Sequence, residues 1–82
     1  MNPEFEKFLV ESDKFIKRED VHTIYDVGAG DCEETTLFRD CYPNARIFSF
    51  EANPDCLVRC TKRIAGLNRI TLVPLCVFDR VG

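Results

Sequence analysis

Two glycines and three carboxylates stand where they could hold a small organic ligand. Asp26 precedes Gly28 and Gly30. Asp31 follows this pair directly, and Glu51 lies 21 residues beyond Gly30. Glycine permits a positive φ and carries no Cβ, so its backbone can come close to a ligand. A carboxylate about 20 residues after such a turn can accept hydrogen bonds from ribose hydroxyls. The pattern predicts a nucleoside-binding turn with a ribose-binding carboxylate.

The chain supplies strands and a helix at the places that these residues require. Residues 23–27 form a short apolar run that stops at the glycines, which predicts a strand followed by a tight turn. Asp31 is expected to cap a helix over about residues 33–41. Residues 46–51 then predict a second strand, with Glu51 at its carboxyl end.

The same alternation continues along the chain. Asn53 and Pro54 are expected to begin a further helix that Gly66 ends. Residues 70–78 predict a third strand, and Pro74 inside it indicates a position at the edge of the sheet. The expected fold class is α/β: a Rossmann-like parallel sheet in the order β-α-β-α-β, truncated before a fourth strand.

An amphipathic helix is predicted ahead of the first strand, over residues 4–18. Its apolar positions recur every three or four residues, which indicates one face packed on a core. We expect one partial domain, 1–82, in which residues 1–20 hold the leading helix and residues 21–82 form the ligand-binding βαβαβ part. The apolar stripe consists of Phe5, Phe8, Leu9, Ser12, Phe15 and Ile16.

Composition narrows the class of partner. The 82 residues include 11 basic and 14 acidic side chains, a net charge of −3, which offers no basic surface for nucleic acid. No apolar run is long enough to cross a bilayer, and the first residues are acidic, unlike a secretory signal. We expect a soluble, cytoplasmic protein that binds a small molecule and neither nucleic acid nor a membrane.

The cysteines show no pattern of a structural bridge. There are five, an odd number without a CxxC pair, which argues against a disulfide framework and against a zinc ribbon. Cys56 and Cys60 share a face of a predicted helix and could hold a metal. Because the chain has a single histidine, small buried thiols are the simpler interpretation. Reduced thiols and no metal site are predicted.

The acidic surroundings bear on which nucleoside would bind. A dinucleotide fingerprint requires glycine three residues after Gly30, where this chain has Glu33, and that charge would face a pyrophosphate. S-adenosylmethionine carries a cationic sulfonium, which nearby carboxylates favour. The residues therefore favour S-adenosylmethionine over NAD.

Two segments resemble the FkbM family of methyltransferases, namely Tyr25–Asp31 with Glu33–Thr35, and Phe48–Asp55. With the third strand, the resemblance extends over about residues 20–82. It implies transfer of a methyl group from S-adenosylmethionine, usually to oxygen. The chain departs from the pattern at Cys32, where methyltransferases commonly have a third glycine.

The resemblance also implies roles for individual residues. The methionine and ribose side of the cofactor would lie against Asp26, Gly28 and Gly30. Glu51 would hold the ribose hydroxyls, and Asn53 would border the adenine. The expected cofactor-binding residues are Asp26, Gly28, Gly30, Asp31, Glu51 and Asn53.

Two other functions are compatible with the sequence. The family's fourth strand and its methyl-acceptor site would lie beyond Gly82, so no catalytic residue is assigned. One edge of the first strand, residues 23–27, would then be unpaired, which predicts self-association. A non-catalytic interaction module is therefore one alternative, and a fragment of an NAD-binding oxidoreductase is the other.

Several side chains near these motifs also have a structural interpretation. Asp26 could be a structural carboxylate bonded to amides of the turn. Tyr25 and Phe50 alternate with apolar strand neighbours and are expected in the core. A basic cluster on the last helix is expected to be a solvated face, made of Arg59, Lys62 and Arg63.

Overall fold

The computed structural model describes residues 2–75. The longest helix has 11 residues, and none in this range is long and apolar enough to cross a membrane. In chain order the elements are α1 Pro3–Ser12, a 3₁₀ turn Arg18–Asp20, β1 Thr23–Val27, α2 Glu33–Cys41, β2 Arg46–Phe50, α3 Pro54–Ile64 and β3 Ile70–Val73.

The three strands form one parallel sheet in the order β1-β2-β3. Tyr25 lies opposite Phe48, and Phe48 lies opposite Thr71. Because parallel neighbours need crossover connections, α2 and α3 link the strands. The predicted α/β fold with a Rossmann-like parallel sheet is confirmed. Within residues 2–75, β1 and β3 are the edge strands.

The helices cover one face of this sheet. In β2, Ile47 and Ser49 are fully buried, and Ser49 hydrogen-bonds to α2, which identifies the covered face. On the opposite face the ring of Tyr25 stacks on that of Phe48, with centroids 5.7 Å apart. Tyr25 is nevertheless 66% exposed, so its predicted place in the core is wrong. Its alternate strand position points it to the face that no described helix covers.

The core that α1 helps to form lies between that helix, α2 and the start of β1. Phe5 and Leu9 are buried against Tyr42 and Ala45. Phe8 lies at the rim, 46% exposed, with its ring centroid 6.0 Å from that of Phe5. Burial of such side chains contributes about 1.5–3 kcal/mol each, so this contact fixes α1 on the sheet.

The first helix is shorter than predicted: it ends at Ser12 and not at residue 18. Beyond this end, Asp13 accepts hydrogen bonds of 3.0 and 2.9 Å from Arg18 across the turn that leads towards β1. Phe15 and Ile16, which were predicted in the packed stripe, are exposed, Phe15 by 87%. The periodicity of a stripe does not mark where a helix ends.

The third strand is also shorter than predicted: within the described residues β3 ends at Val73. Pro74 has no N–H to donate to a ladder, and the amide of Leu75 donates to the carbonyl oxygen of Val73 at 2.9 Å, which turns the backbone. The predicted strand residues 76–78 lie outside the described part of the chain.

Candidate functional site

The glycine turn lies at the carboxyl ends of β1 and β2. Gly28 and Gly30 have φ values of 71° and 60°, in the left-handed region that favours glycine. The amides of Gly28 and Ala29 both donate to the carbonyl oxygen of Phe50, at 2.9 and 3.0 Å. These hydrogen bonds fasten the turn to the end of β2 and place it beside Glu51.

The side of the turn where a Cβ would stand is open. A Cβ built on Gly28 or Gly30 would meet no atom of the described residues within 4 Å. Backbone conformation, rather than tight packing, therefore accounts for glycine at both positions. The missing Cβ atoms leave room for a ligand directly against the turn.

Glu51 bridges the glycine turn and the loop that leads into α3. Its Oε1 accepts a hydrogen bond from the Gly30 amide at 2.6 Å. Its Oε2 accepts from the amides of Asn53 at 2.9 Å and Ala52 at 3.1 Å. The bonds from Asn53 and Gly30 lower the pKa of the Glu51 carboxyl below its ordinary value; partial burial opposes this shift, and Ala52 adds to it.

The carboxylate retains some capacity to bind a ligand. An ionised carboxylate has about four acceptor positions, of which the amides fill one on Oε1 and two on Oε2. Oε1 of Glu51 can therefore accept one more hydrogen bond. This is compatible with one ribose hydroxyl. To accept a second hydroxyl, Glu51 would have to lengthen one of its hydrogen bonds from the backbone amides.

Acid is expected to loosen the turn through Glu51. The folded-state pKa of the Glu51 carboxyl lies below the reference value of 4.5. The hydrogen bonds that it accepts from backbone amides therefore contribute their full stability above that pH. The contribution is lost as the pH falls through the lower folded-state pKa. Urea unfolding between about pH 6 and about pH 3 should show a steeper loss of stability for the native chain than for Glu51→Gln, which cannot titrate. Parallel curves would contradict the bridging role.

Asp26 is part of a buried polar network. The Thr35 hydroxyl donates to Asp26 Oδ2 at 2.7 Å and is 2.8 Å from the Ser49 hydroxyl. Since Thr35 has one proton, which goes to the carboxylate, Ser49 donates to Thr35. Thr35 and Ser49 are fully buried, and Asp26 is half-buried. The partner that the structure gives Asp26 is the Thr35 hydroxyl, so the alternative in which this carboxylate bonds to amides of the turn is wrong.

Asp31 is not the N-cap residue of α2, although its side chain accepts a capping hydrogen bond from the first amide of that helix. The N-cap residue is Cys32, whose left-handed conformation moves the start of the helix one residue past Asp31. The Asp31 side chain accepts from the Glu33 amide at 3.2 Å and from Arg63 Nη2 at 3.2 Å. Arg63 Nε also donates to the Asp31 carbonyl oxygen at 3.0 Å. Arg63, predicted to be only a solvated residue, joins α3 to the turn.

Asn53 has a defined local role at the start of α3. Its side-chain oxygen accepts from the amides of Asp55 at 2.9 Å and Cys56 at 3.3 Å, which makes it the N-cap of the helix that it was expected to begin. Pro54 follows in the first turn, where the missing N–H has no effect on the helix. The contact of Asn53 with adenine stays a prediction.

Cys32 and Cys60 form a disulfide. The prediction of reduced thiols is wrong for this pair. The two residues are 28 apart in sequence, and they meet because α2 and α3 pack side by side, which no short cysteine spacing reveals. Cys41 and Cys56 are free within the described range, and Cys76 lies outside it.

The side chains that position this site escaped the sequence analysis. Thr35 lies in the FkbM-like segment but received no role there, and Arg63 was expected only to be solvated. Ser49 offered one indication, because it stands between Phe48 and Phe50 in a predicted strand. A buried hydroxyl among apolar strand residues requires a hydrogen-bond partner.

The site offers more hydrogen-bond acceptors than free hydrogen-bond donors. The amides of Gly28 and Ala29 are engaged with β2, and that of Gly30 with Glu51. Carboxylates of Asp26 and Glu51 remain beside the turn. Hydroxyl, ammonium and sulfonium groups suit such an edge, whereas a phosphate needs free donors.

The chain is similar to part of several methyltransferases. It is 32% identical over 59 residues to the 2-O-methyltransferase NoeI of Sinorhizobium fredii, a match that covers 72% of this chain and 24% of NoeI. The precorrin-6y C5,15-methyltransferase of Geobacter metallireducens superposes with a TM-score of 0.60 and 29% identity, over 65% of this chain and 29% of that one. A putative rRNA-methylase of Clostridium thermocellum superposes with a TM-score of 0.61 and 26% identity, over 83% of this chain and 40% of that one.

This chain has part of a methyltransferase fold. The predicted resemblance to methyltransferases is confirmed, although none of these relatives is named as an FkbM protein. No protein-family model matches the chain. The chain spans about a quarter of the length of NoeI and less than half of the two solved structures.

Proposed function

We propose that this chain binds S-adenosylmethionine as part of a methyltransferase of the FkbM-like kind, which transfers the methyl group to oxygen. The observation that carries the proposal is the Glu51 carboxylate, which the Gly30 amide holds beside the glycine turn at 2.6 Å. Similarity to three methyltransferases supports the cofactor. The name of NoeI, a 2-O-methyltransferase, supports oxygen as the acceptor atom.

The roles of the residues follow from their free acceptor positions. Glu51 Oε1 receives a ribose hydroxyl, and Gly28 and Gly30 let the cofactor lie against the turn. Asp26 is held by Thr35 through Oδ2, so its Oδ1 can face the ammonium group of the methionine part. Asp31 lies in the same turn, but Arg63 offsets the charge of its carboxylate at 3.2 Å, so its contribution to binding the cationic cofactor is smaller than those of Asp26 and Glu51.

When bound, S-adenosylmethionine supplies an electrophilic methyl group. Residues of this chain would hold and orient the cofactor for displacement at its methyl group by an oxygen acceptor. Proximity and orientation are the main contributions to such a displacement. No residue within 2–75 is assigned as a base.

NAD is the competing ligand, and the hydrogen bonding of the turn argues against it. A dinucleotide places its pyrophosphate on amides of the turn. Here Gly28 and Ala29 donate to Phe50, and Gly30 donates to Glu51. The exposed Glu33 adds a like charge to the same helix start.

Calorimetric titration of the folded chain with S-adenosylhomocysteine, and separately with NAD, tests the proposal. Saturable binding of S-adenosylhomocysteine alone is expected. Binding of NAD alone would support the oxidoreductase alternative. If a chain shown to be folded by circular dichroism bound neither, the cofactor proposal would fail.

We also propose that a second copy of the chain associates with the edge of β1 that no strand within residues 2–75 pairs with. An edge strand presents unpaired amide and carbonyl groups, and a two-fold axis can pair it with the same strand of another copy. On the uncovered face next to this edge, Tyr25 and Val27 are 66% and 47% exposed and line an apolar depression with Phe50 and Leu75. Because this surface is apolar, it favours contact with the same apolar surface of a second copy.

Tyr25→Lys is expected to prevent this association, because each copy would bring a charge into the apolar contact. Sedimentation velocity should detect dimers of the native chain at roughly 10–100 μM and monomers of the variant. Phe15→Lys is the matched control, since Phe15 is equally apolar and 87% exposed but lies outside the sheet. A native chain that stayed monomeric, or equal effects of the two substitutions, would contradict the proposal.

A further inference from the structure

The two bonded cysteines occupy unusual positions around the candidate site. Cys32 has a φ of 67°, a conformation that disfavours any residue with a Cβ, and it is fully buried two residues after Gly30. Cys60 is fully buried on α3. Their Cα atoms are 5.0 Å apart, within the range of about 4.4–6.8 Å that a disulfide spans. A disfavoured conformation is thus kept where it brings two sulfur atoms together.

The bond joins both walls of the site. Cys32 belongs to the loop that follows β1, and Cys60 belongs to the helix that follows Glu51. The 28-residue separation between them contains the whole of β2 and Glu51. A disulfide here therefore restricts the motion of the glycine turn relative to the carboxylate.

A second contact connects the redox state to the same turn. Cys60 Sγ is 2.9 Å from the carbonyl oxygen of Gly30, whose amide donates to Glu51. A reduced Cys60 can donate its S–H to this carbonyl. A disulfide has no proton to donate, so oxidation exchanges a hydrogen bond to Gly30 for a covalent link to Cys32.

We infer that Cys32 and Cys60 form a reversible redox switch that sets the affinity of this site for its nucleoside ligand, an inference that rests on the proposed function. The oxidised chain holds the turn and Glu51 in the binding arrangement. The reduced chain must order them on binding, which weakens affinity.

The reaction is thiol–disulfide exchange with a small-molecule disulfide, such as oxidised glutathione. One cysteine thiolate attacks the small disulfide and releases one thiol, and the second cysteine then displaces the other. Two S–H bonds are lost and one S–S bond forms in the protein. The two electrons and two protons pass to the small disulfide, which becomes two thiols. Because both cysteines are fully buried, exchange proceeds through local opening of the turn.

The experiment compares the full chain after equilibration in oxidised and in reduced glutathione buffers. Thiol titration should count three free thiols in the oxidised chain and all five cysteines in the reduced one, since one disulfide removes two. Peptide mapping should locate the bond between Cys32 and Cys60. The Tm should be higher by roughly 10–20 °C in the oxidised chain, and S-adenosylhomocysteine should bind roughly fivefold or more tightly.

The variant Cys60→Ser tests whether the disulfide causes the redox response. Serine can donate to the Gly30 carbonyl as a thiol does but cannot form the bond, so this variant should behave as the reduced chain in both buffers. Cys56→Ser, on the same helix, is the matched control and should retain the full redox response.

The outcomes separate this inference from the proposed function. Equal affinity for S-adenosylhomocysteine in both redox states, with the bond formed, would overturn the switch and leave the cofactor proposal standing. Absence of binding in both states would overturn the cofactor proposal, and the switch of affinity with it. Five free thiols in the oxidising buffer would overturn the switch at once.

Discussion

Glu51→Ala is expected to weaken the binding of S-adenosylhomocysteine by about 100-fold or more. The substitution removes the acceptor for a ribose hydroxyl and releases the Gly30 amide, which the carboxylate holds at 2.6 Å. Hydrogen bonds to a charged group contribute about 1.5–3 kcal/mol each, and about 1.4 kcal/mol corresponds to a tenfold change in affinity. Calorimetric titration at neutral pH measures the change.

Two variants control for general effects of this substitution. Glu51→Gln keeps the size and one acceptor oxygen, so an intermediate loss of about tenfold is expected. Glu6→Gln removes the same charge from an exposed position on α1 and should leave the affinity within about twofold. Unchanged affinity in Glu51→Ala would exclude this carboxylate from the ligand site.

Thr35→Val is expected to lower the free energy of unfolding by about 2–4 kcal/mol. Valine keeps the volume but removes the proton donated to Asp26 and the oxygen that accepts from Ser49. Each polar group left buried without a partner costs about 1–3 kcal/mol. Urea unfolding followed by circular dichroism measures the loss.

The neighbouring residue provides a matched control. Thr36 has the same side chain, but its hydroxyl donates to the Glu33 carbonyl within its own helix at 2.7 Å. Thr36→Val should cost about 0.5 kcal/mol or less, as for a substitution outside a buried network. Equal losses for the two variants would show that the buried network with Asp26 contributes little.

Local chemistry explains why much of the fold was predictable. The bounds of β1 and the range of α2 agree with those predicted, because Gly28 and Gly30 end a strand and Pro43 blocks a helix within a few residues. The carboxylate at the end of β2 was found for the same reason. Its position depends only on strand length and on the order of the elements.

Tertiary contacts explain the errors. The helix α1 ends at Ser12, just before the exposed Asp13–Arg18 pair, and the apolar stripe does not encode this end. The disulfide depends on how α2 packs against α3, and its cysteines are too far apart in sequence to form a motif. The N-cap position of α2 falls at Cys32 instead of Asp31, since a left-handed residue other than glycine is rarely predictable.

The most direct test of the nucleoside site is an amide proton–nitrogen NMR spectrum of the folded chain during titration with S-adenosylhomocysteine. The predicted result is a set of saturable shifts that cluster at residues 28–31 and 51–53, with the amides of α1 unchanged. Saturable shifts confined to other surfaces, or no shifts at ligand concentrations up to roughly 1 mM, would contradict the assignment of this turn and Glu51 as the cofactor site.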